Sequence, residues 1–295
     1  MIRLQEIELS MQTQVERIRN TYGHRAASHG FASLYIWKEE MGLRIHMRDQ
    51  IFVLKFGLRG EHAWFYPCGE PQAVKKLIFE ILREDREAVF YYMREQDAAF
   101  LEREFPGRFL IRECEEDSEY LYDRWQQQEL TGKKFSSQRN HINRIKADYE
   151  LCVEELDGHN LQDALKVNQC WKRRSLQEAG LRDEQAGEVL LENREALGVL
   201  GILVRVDGRP YAIAAGYPLC EDMFDLALVK QVECLTGLSV YTRNRLIRRL
   251  PEKYKWINAE EDLGVEGLRT MKKQMSPAGL IKMYQGGYEN EGNGS

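Results

Sequence analysis

Leu200-Gly201-Ile202-Leu203-Val204-Arg205-Val206-Asp207-Gly208-Arg209-Pro210-Tyr211-Ala212-Ile213-Ala214-Ala215-Gly216-Tyr217 sets two strand-length apolar runs on either side of an Asp-Gly pair. That pair between such runs signals a tight hairpin, so strands are predicted at 200–206 and 210–217. Working outward, 224–229 reads as a further strand, 237–250 as a helix, 256–258 as a buried strand and 264–275 as the last helix. Upstream, apolar residues at helical spacing predict helices over 137–149, 160–177 and 183–196.

The first half repeats this grammar. Strands are expected at 43–46, 50–56 and 63–67, a helix over 72–83 with Val74, Leu77, Ile78 and Ile81 on one stripe, a buried strand at 88–93 and a helix over 97–105 closed by Pro106 and Gly107. Residues 1–20 read as a charged, amphipathic helical stretch. The segment 113–119 carries five acidic residues and no basic one, and reads as a solvated connection near the end of a first domain. Strands alternating with helices indicate an α+β (α/β) chain, and two similar halves suggest duplication. At 295 residues the expected division is 1–135 and 136–288, followed by a flexible tail, 289–295.

Composition narrows the function. With 43% hydrophobic and 30% charged residues the chain is an ordinary globular one. A net charge of −5 argues against coating nucleic acid by bulk electrostatics, so a polyanionic partner would have to meet a local basic patch. Six scattered cysteines with no C-x-x-C pair give no reason to expect a metal. No apolar run reaches 18 residues and no leader-like pattern opens the chain, so the expected compartment is the cytoplasm.

Three segments could carry chemistry. Lys133 to Lys146 holds five basic residues and no acid, with Arg139, Asn143 and Lys146 on a row beside the stripe of Ile142, Ile145 and Tyr149. Arg, Asn and His offer directional donors suited to phosphate or carboxylate, although a solvated basic face fits the same pattern. In 256–272, a strand runs into the acidic turn Glu260-Glu261-Asp262 and then a helix, where Asp262 is the expected cap and Arg269 and Lys272 share one side. These carboxylates either cap the helix or accept a proton from an attacking amine or hydroxyl. Gly267, inside that helix, implies a close backbone approach or a ligand. The third segment, 233–238, offers a helix start with Gly237 as a phosphate cradle, followed by Arg243, Arg245, Arg248 and Arg249 as a basic helix surface.

The run Leu130-Thr131-Gly132-Lys133-Lys134 followed by Arg139-Asn140-His141-Ile142-Asn143 resembles a signature of the DUF2156 family. So do residues 258–269 and 276–284, with weaker likeness at 31–37 and at Tyr66-Pro67-Cys68-Gly69. That family is similar to the synthase domain of phosphatidylglycerol lysyltransferases and is related to the Fem peptidyltransferases. The resemblance implies two tandem GNAT (acyl-CoA N-acyltransferase-like) domains, each a mixed twisted sheet flanked by helices. It also implies aminoacyl transfer from aminoacyl-tRNA to an amine or hydroxyl, by positioning and oxyanion stabilisation, with no tightly bound cofactor. Without a multi-helix membrane region, lipid modification would need peripheral membrane contact. Ala259 stands where the family commonly has Arg.

The expected function is thus acyl or aminoacyl transfer centred on the C-terminal half. Glu260, Glu261 and Asp262 are the candidate proton acceptors. Lys134, Arg139, Asn140, Asn143, Lys146, Asn258, Arg269 and Lys272 are the candidate donor-binding or acceptor-binding residues. Two alternatives stand beside it: an acyl-CoA-dependent N-acyltransferase using the Gly237 helix start, and a catalytically silent ligand-binding protein, which Ala259 favours.

Overall fold

The computed structural model describes residues 2–175 and 184–288. The expected tail 289–295, the end of the helix predicted over 160–177 and the start of that over 183–196 lie outside them. Contacts divide the chain into two units: residues 1–119, 261–265 and 280–295 form the first, and 120–260 with 266–279 the second. The chain thus changes unit between Glu119 and Tyr120, where the sequence reading drew its line at 135/136.

In the first unit, α1 (Gln12–Thr21) and α2 (Phe31–Trp37) precede β1 (Leu43–Arg48), β2 (Ile51–Phe56), β3 (Ala63–Phe65) and the short β4 (Cys68–Gly69). Helix α1 starts well after the sequence reading began it, because Gln5 bridges Ile45 and only a 3-10 turn, Leu9–Met11, leads into the helix. Next come α3 (Pro71–Glu84), β5 (Val89–Met93), α4 (Glu95–Glu104) and β6 (Phe109–Asp123). Helix α3 begins where Pro71 follows Glu70, whose carboxylate accepts the Ala73 N–H at 2.7 Å. Its stripe of Val74, Leu77, Ile78 and Ile81 is buried against Val53, Trp64 and Phe90. Strands β1–β2–β3 form an antiparallel meander, and β3 then pairs β5 in parallel.

The second unit repeats that plan. It contains α5 (Arg124–Glu129), α6 (Ser136–Asp148), β7 (Leu151–Glu155), α7 (Leu161–Ser175), α8 (Glu184–Glu192), β8 (Leu200–Val206), β9 (Arg209–Cys220), β10 (Met223–Gln231), α9 (Leu238–Arg249), β11 (Trp256–Asn258) and α10 (Glu266–Gln274). Strands β8 and β9 form the predicted hairpin, with Asp207 and Gly208 both at positive φ, 49° and 77°. Strand β10 pairs antiparallel with β9 and parallel with β11, just as β5 follows its meander. The closing strands are exchanged: the end of β6 pairs β11 of the second unit, and β12 (Gly279–Tyr288) pairs β5 of the first. Each unit has its own core, the second built on Tyr122, Ile202, Val204, Phe224, Ile247 and Ile257.

The acidic segment 113–119 is not a solvated connection. It lies within β6, where Asp117, Ser118 and Glu119 are buried. Glu119 accepts the N–H groups of Ala27 and Ser28 at 2.8 and 2.9 Å, and Asp117 Oδ1 pairs with Arg59 at 2.5 Å, so specific donors replace water at these oxygens, while Asp117 Oδ2 is buried without one.

Candidate functional site

In the second unit the acidic turn begins on β11. Asn258 is fully buried, and its Oδ1 accepts the Glu260 N–H at 2.7 Å. Glu260 takes a left-handed conformation, φ 56°, which costs a non-glycine residue free energy and must be held by its surroundings. They do hold it. The Ala259 N–H donates to the Tyr120 carbonyl, the Tyr120 N–H donates to the Glu260 carbonyl, each at 3.0 Å, and Lys272 Nζ reaches the carbonyls of Ala259 and Glu260 at 2.5 and 3.1 Å. Lys272 is buried, with its ammonium 5.6 Å from the centre of the Tyr120 ring. Tyr122 donates its hydroxyl to the Lys272 carbonyl at 2.9 Å, and burial pushes that phenol up to about 12. Lys272 and Arg269 therefore differ in setting despite their spacing, since Arg269 stays half-buried on α10.

The basic row on α6 divides into anchors and free surface. Arg139 donates to the Leu130 carbonyl and, at 2.8 Å, to the Gly132 carbonyl, fixing the loop whose residues Leu130 and Gly132 have positive φ. Lys134 donates to Gln126 at 2.6 Å. Asn140, Asn143 and Lys146 point to solvent together with Lys133. Contact between α6 and α10 is made instead by Gln138, which donates to the Gln274 carbonyl at 3.2 Å. A cleft of about 10 Å³ beside it is lined by Gln138, Gln127, Arg243 and Asn244, and by none of the candidate proton acceptors or candidate binding residues.

Glu261 and Asp262 belong to the first unit. Asp262 is fully buried and does not cap the helix, which starts only at Glu266; its carboxylate accepts the Gly264 N–H at 2.9 Å and shapes the turn. The Leu263 N–H donates to the Glu116 carbonyl at 3.0 Å. Within this unit the structure adds groups the sequence reading did not single out. Tyr92 sits buried at φ 54° with its hydroxyl lacking a hydrogen-bond partner, and burial, reinforced by the charges of Glu261 and Asp117, drives its pKa far up. Burial likewise raises the Asp117 carboxyl above its ordinary range, outweighing Arg59. No local pattern marks Tyr92, because its neighbours Glu261 and Asp117 are remote in sequence.

Two glycines reverse their expected roles. A Cβ on Gly267 would meet nothing within 4 Å, so no close approach requires that glycine. A Cβ on Gly237 would sit 2.4 Å from the His141 carbonyl oxygen, and its φ is 92°. The backbone of α6 thus covers Gly237, the proposed phosphate cradle. Of the arginines on α9, Arg248 and Arg249 are exposed and Arg245 is half-buried over Tyr241, but Arg243 is buried and not part of a basic surface. Among the described residues no helix is long and apolar enough to cross a membrane.

A conserved protein of unknown function from Bacteroides thetaiotaomicron is 27% identical, with a TM-score of 0.89 over 98% of this chain and 100% of that one. L-PGS from Bacillus licheniformis is 17% identical, with a TM-score of 0.66 over 98% of this chain and 94% of its own. FemX is 8% identical, with a TM-score of 0.61 over 96% and 97%. These likenesses establish the expected GNAT-like fold. Among curated proteins none matches. The family model described as "Phosphatidylglycerol lysyltransferase, C-terminal" matches residues 19–285, and the chain belongs to that family.

Proposed function

We propose that the protein transfers an aminoacyl group from aminoacyl-tRNA to an amine or hydroxyl acceptor. The observation that carries this reading is the family match over residues 19–285. In the proposed step the acceptor nitrogen or oxygen attacks the ester carbonyl of the donor and the resulting tetrahedral oxyanion collapses. The bond to the ribose oxygen breaks, the acceptor's proton passes to a carboxylate, and the ribose oxygen gains one. Glu260 and Glu261 are the proposed proton acceptors, while Asn258, Asp262 and Lys272 position the turn that carries them. Arg269 is proposed to stabilise developing charge. Arg139 and Lys134 order the loop before α6, so that Asn140, Asn143 and Lys146 can meet donor phosphates. The acyl-CoA alternative is disfavoured by His141, whose carbonyl closes over Gly237. The silent-binding alternative rests on Ala259 alone.

The test is transfer of radiolabelled amino acid from a panel of charged tRNAs to amine and hydroxyl acceptors, including phosphatidylglycerol vesicles, with labelled acetyl-CoA as a parallel donor. Label moving from one charged tRNA into an acid-stable product is expected. Deacylation at the buffer rate for every charged tRNA, with or without acceptor, would overturn the reading.

A further inference from the structure

Between α1 and α2 the chain runs Gly23-His24-Arg25-Ala26-Ala27-Ser28-His29-Gly30, a loop whose one regular element is the 3-10 turn Ala27–His29. Arg25 is exposed, and Ala26, Ala27 and Ser28 are small, so the two histidines are the only large buried side chains the loop has. Their ring centroids lie 4.0 Å apart. His29 Nε2 meets the Tyr66 carbonyl at 2.9 Å and its Nδ1 the Ser28 hydroxyl at 3.3 Å. Neither ring nitrogen of His24 has a hydrogen-bond partner. A buried donor and a buried acceptor left unmet cost free energy even while the imidazole is neutral, and a second ring proton would add a charge to that cost.

The groups packed around the pair offer that charge no acid. Two guanidiniums act on both rings, Arg19 from α1 and Arg94 from the start of α4. Arg19 pairs with Glu16 at 2.7 Å and Arg94 with Asp97 at 2.7 Å. The other Glu16 oxygen accepts the Phe31 N–H at 2.8 Å, and Glu119 of β6 accepts those of Ala27 and Ser28. Strands β2 and β3 present the rings of Phe52 and Phe65 to His29. Cys68 of β4 stays neutral, its thiol pushed up to about 12 by burial, and burial raises the Tyr66 phenol as well. Among the described residues neither imidazole forms an ion pair. Burial, then the charges of His29, Arg94 and Arg19, hold the His24 pKa well below the ordinary value. Burial lowers that of His29 too, outweighing the bond to the Tyr66 carbonyl.

We infer that His24 and His29 form a pH-sensitive latch on residues 23–30: as neutral rings they hold this loop in the first unit, and in mild acid their protonation releases it while the rest of the unit stays folded. Closed, an imidazolium would face two guanidiniums with no acceptor; released, it is hydrated. The sign follows from linkage. A lowered folded pKa makes the closed loop fully favoured above the ordinary imidazole value of about 6.5, and that preference is lost as pH falls from there toward the folded values. Each ring then favours opening by about tenfold per pH unit, and the pair by up to about 100-fold. Gly23, at φ 64° with nothing within 4 Å of an added Cβ, and Gly30 bound the loop as hinges. Release also strips the buried Glu119 of its two backbone donors, so it is felt in β6.

The test follows amide exchange of Ala27 and Ser28 in the whole chain from about pH 7.5 to about pH 5, a window above the ordinary carboxylate range, with the intrinsic pH dependence of exchange divided out. Opening should be constant above about pH 7 and then rise below about pH 6 with a slope approaching two protons, about 100-fold per pH unit. Leu77 and Ile78, in the core of α3, should keep their protection throughout. His24→Leu should halve the slope, to about tenfold per pH unit. Nitrogen NMR of the wild-type imidazoles, expected to show both neutral in the closed loop at about pH 6, decides the matter if that variant does not fold. A rise of less than about threefold per pH unit, a parallel loss of protection at Leu77 and Ile78, an undiminished slope in His24→Leu, or rings already charged at about pH 6 would each overturn the inference.

Discussion

Replacing Lys272 by Met tests whether the acidic turn is held from α10. The substitution keeps the aliphatic stem and removes two charge-assisted hydrogen bonds, to the carbonyls of Ala259 and Glu260. At roughly 1.5 kcal/mol for each such bond the loss is about 3 kcal/mol. Two features reduce it: the Glu260 carbonyl keeps the Tyr120 N–H, and both turn residues are only half-buried, so water can replace part of the lost bonding. The expected cost is therefore about 2–3 kcal/mol, which for a unit of this size lowers the melting temperature by roughly 5–10 °C. Urea unfolding followed by tryptophan fluorescence measures it, since Trp256 lies on β11 in the same unit. Lys273→Met is the control: Lys273 is exposed, and the change should stay within about 0.5 kcal/mol. A Lys272→Met loss below about 1 kcal/mol, no more than one ordinary hydrogen bond, would refute the claim that this ammonium maintains the left-handed Glu260.

The two glycines give opposite expectations: Gly237→Ala should destabilise by about 3 kcal/mol, combining its positive φ with the His141 contact, whereas Gly267→Ala should stabilise by roughly 0.5–1 kcal/mol. Calorimetry on both variants checks the pair, and stabilisation by the first would contradict the packing. Burial pushes the Asp85 carboxyl up, but hydrogen bonds from Trp64, His62 and Lys55 outweigh it, so its folded pKa lies below the ordinary value. Its contribution to stability is present above the unfolded value of about 3.9 and is lost as pH falls through the lower folded one. The gap between wild type and Asp85→Asn should accordingly be widest near neutrality and close in strong acid, as acid titration at fixed denaturant would show; a constant gap would argue against linkage. In the transfer assay, Glu261→Gln should slow turnover by about 10²-fold or more if Glu261 accepts the proton. Lys146→Gln should weaken donor binding and flatten its salt dependence by about one unit of slope for one lost phosphate contact.

The elements most legible in the sequence are those whose apolar residues face one core. The β8–β9 hairpin announces itself through two apolar runs and Asp207-Gly208, and α3 through the stripe from Val74 to Ile81. Strand β7 carries no such mark, because among the described strands it lies at an edge beside β8 and needs little apolar surface; Glu154 on it instead holds Arg205 at 2.7 Å. The run 113–119 misleads for the opposite reason. Its acids look solvated when counted, yet Glu119 finds its donors at Ala27 and Ser28, and Asp117 at Arg59, all far away along the chain. Charge composition records how many groups need partners and nothing about where the fold supplies them.

Locality separates the readable part of the candidate site from the rest. Asn258 and Glu260 are two residues apart, so a strand running into a polar turn was enough to single them out, while the bonds from Lys272 depend on how α10 folds back. Arg243 is the instructive exception, since its burial was written in the spacing. It stands three, four and seven residues before Leu246, Ile247 and Leu250, all buried, and therefore occupies the same stripe as the core of α9. Grouping it with Arg245, Arg248 and Arg249 by charge hid this position. Here a neutral acceptor on Gln127 and the face of the Tyr122 ring offset part of the buried charge, and both come from α5 and β6, more than 110 residues before Arg243, which no reading of α9 alone could supply.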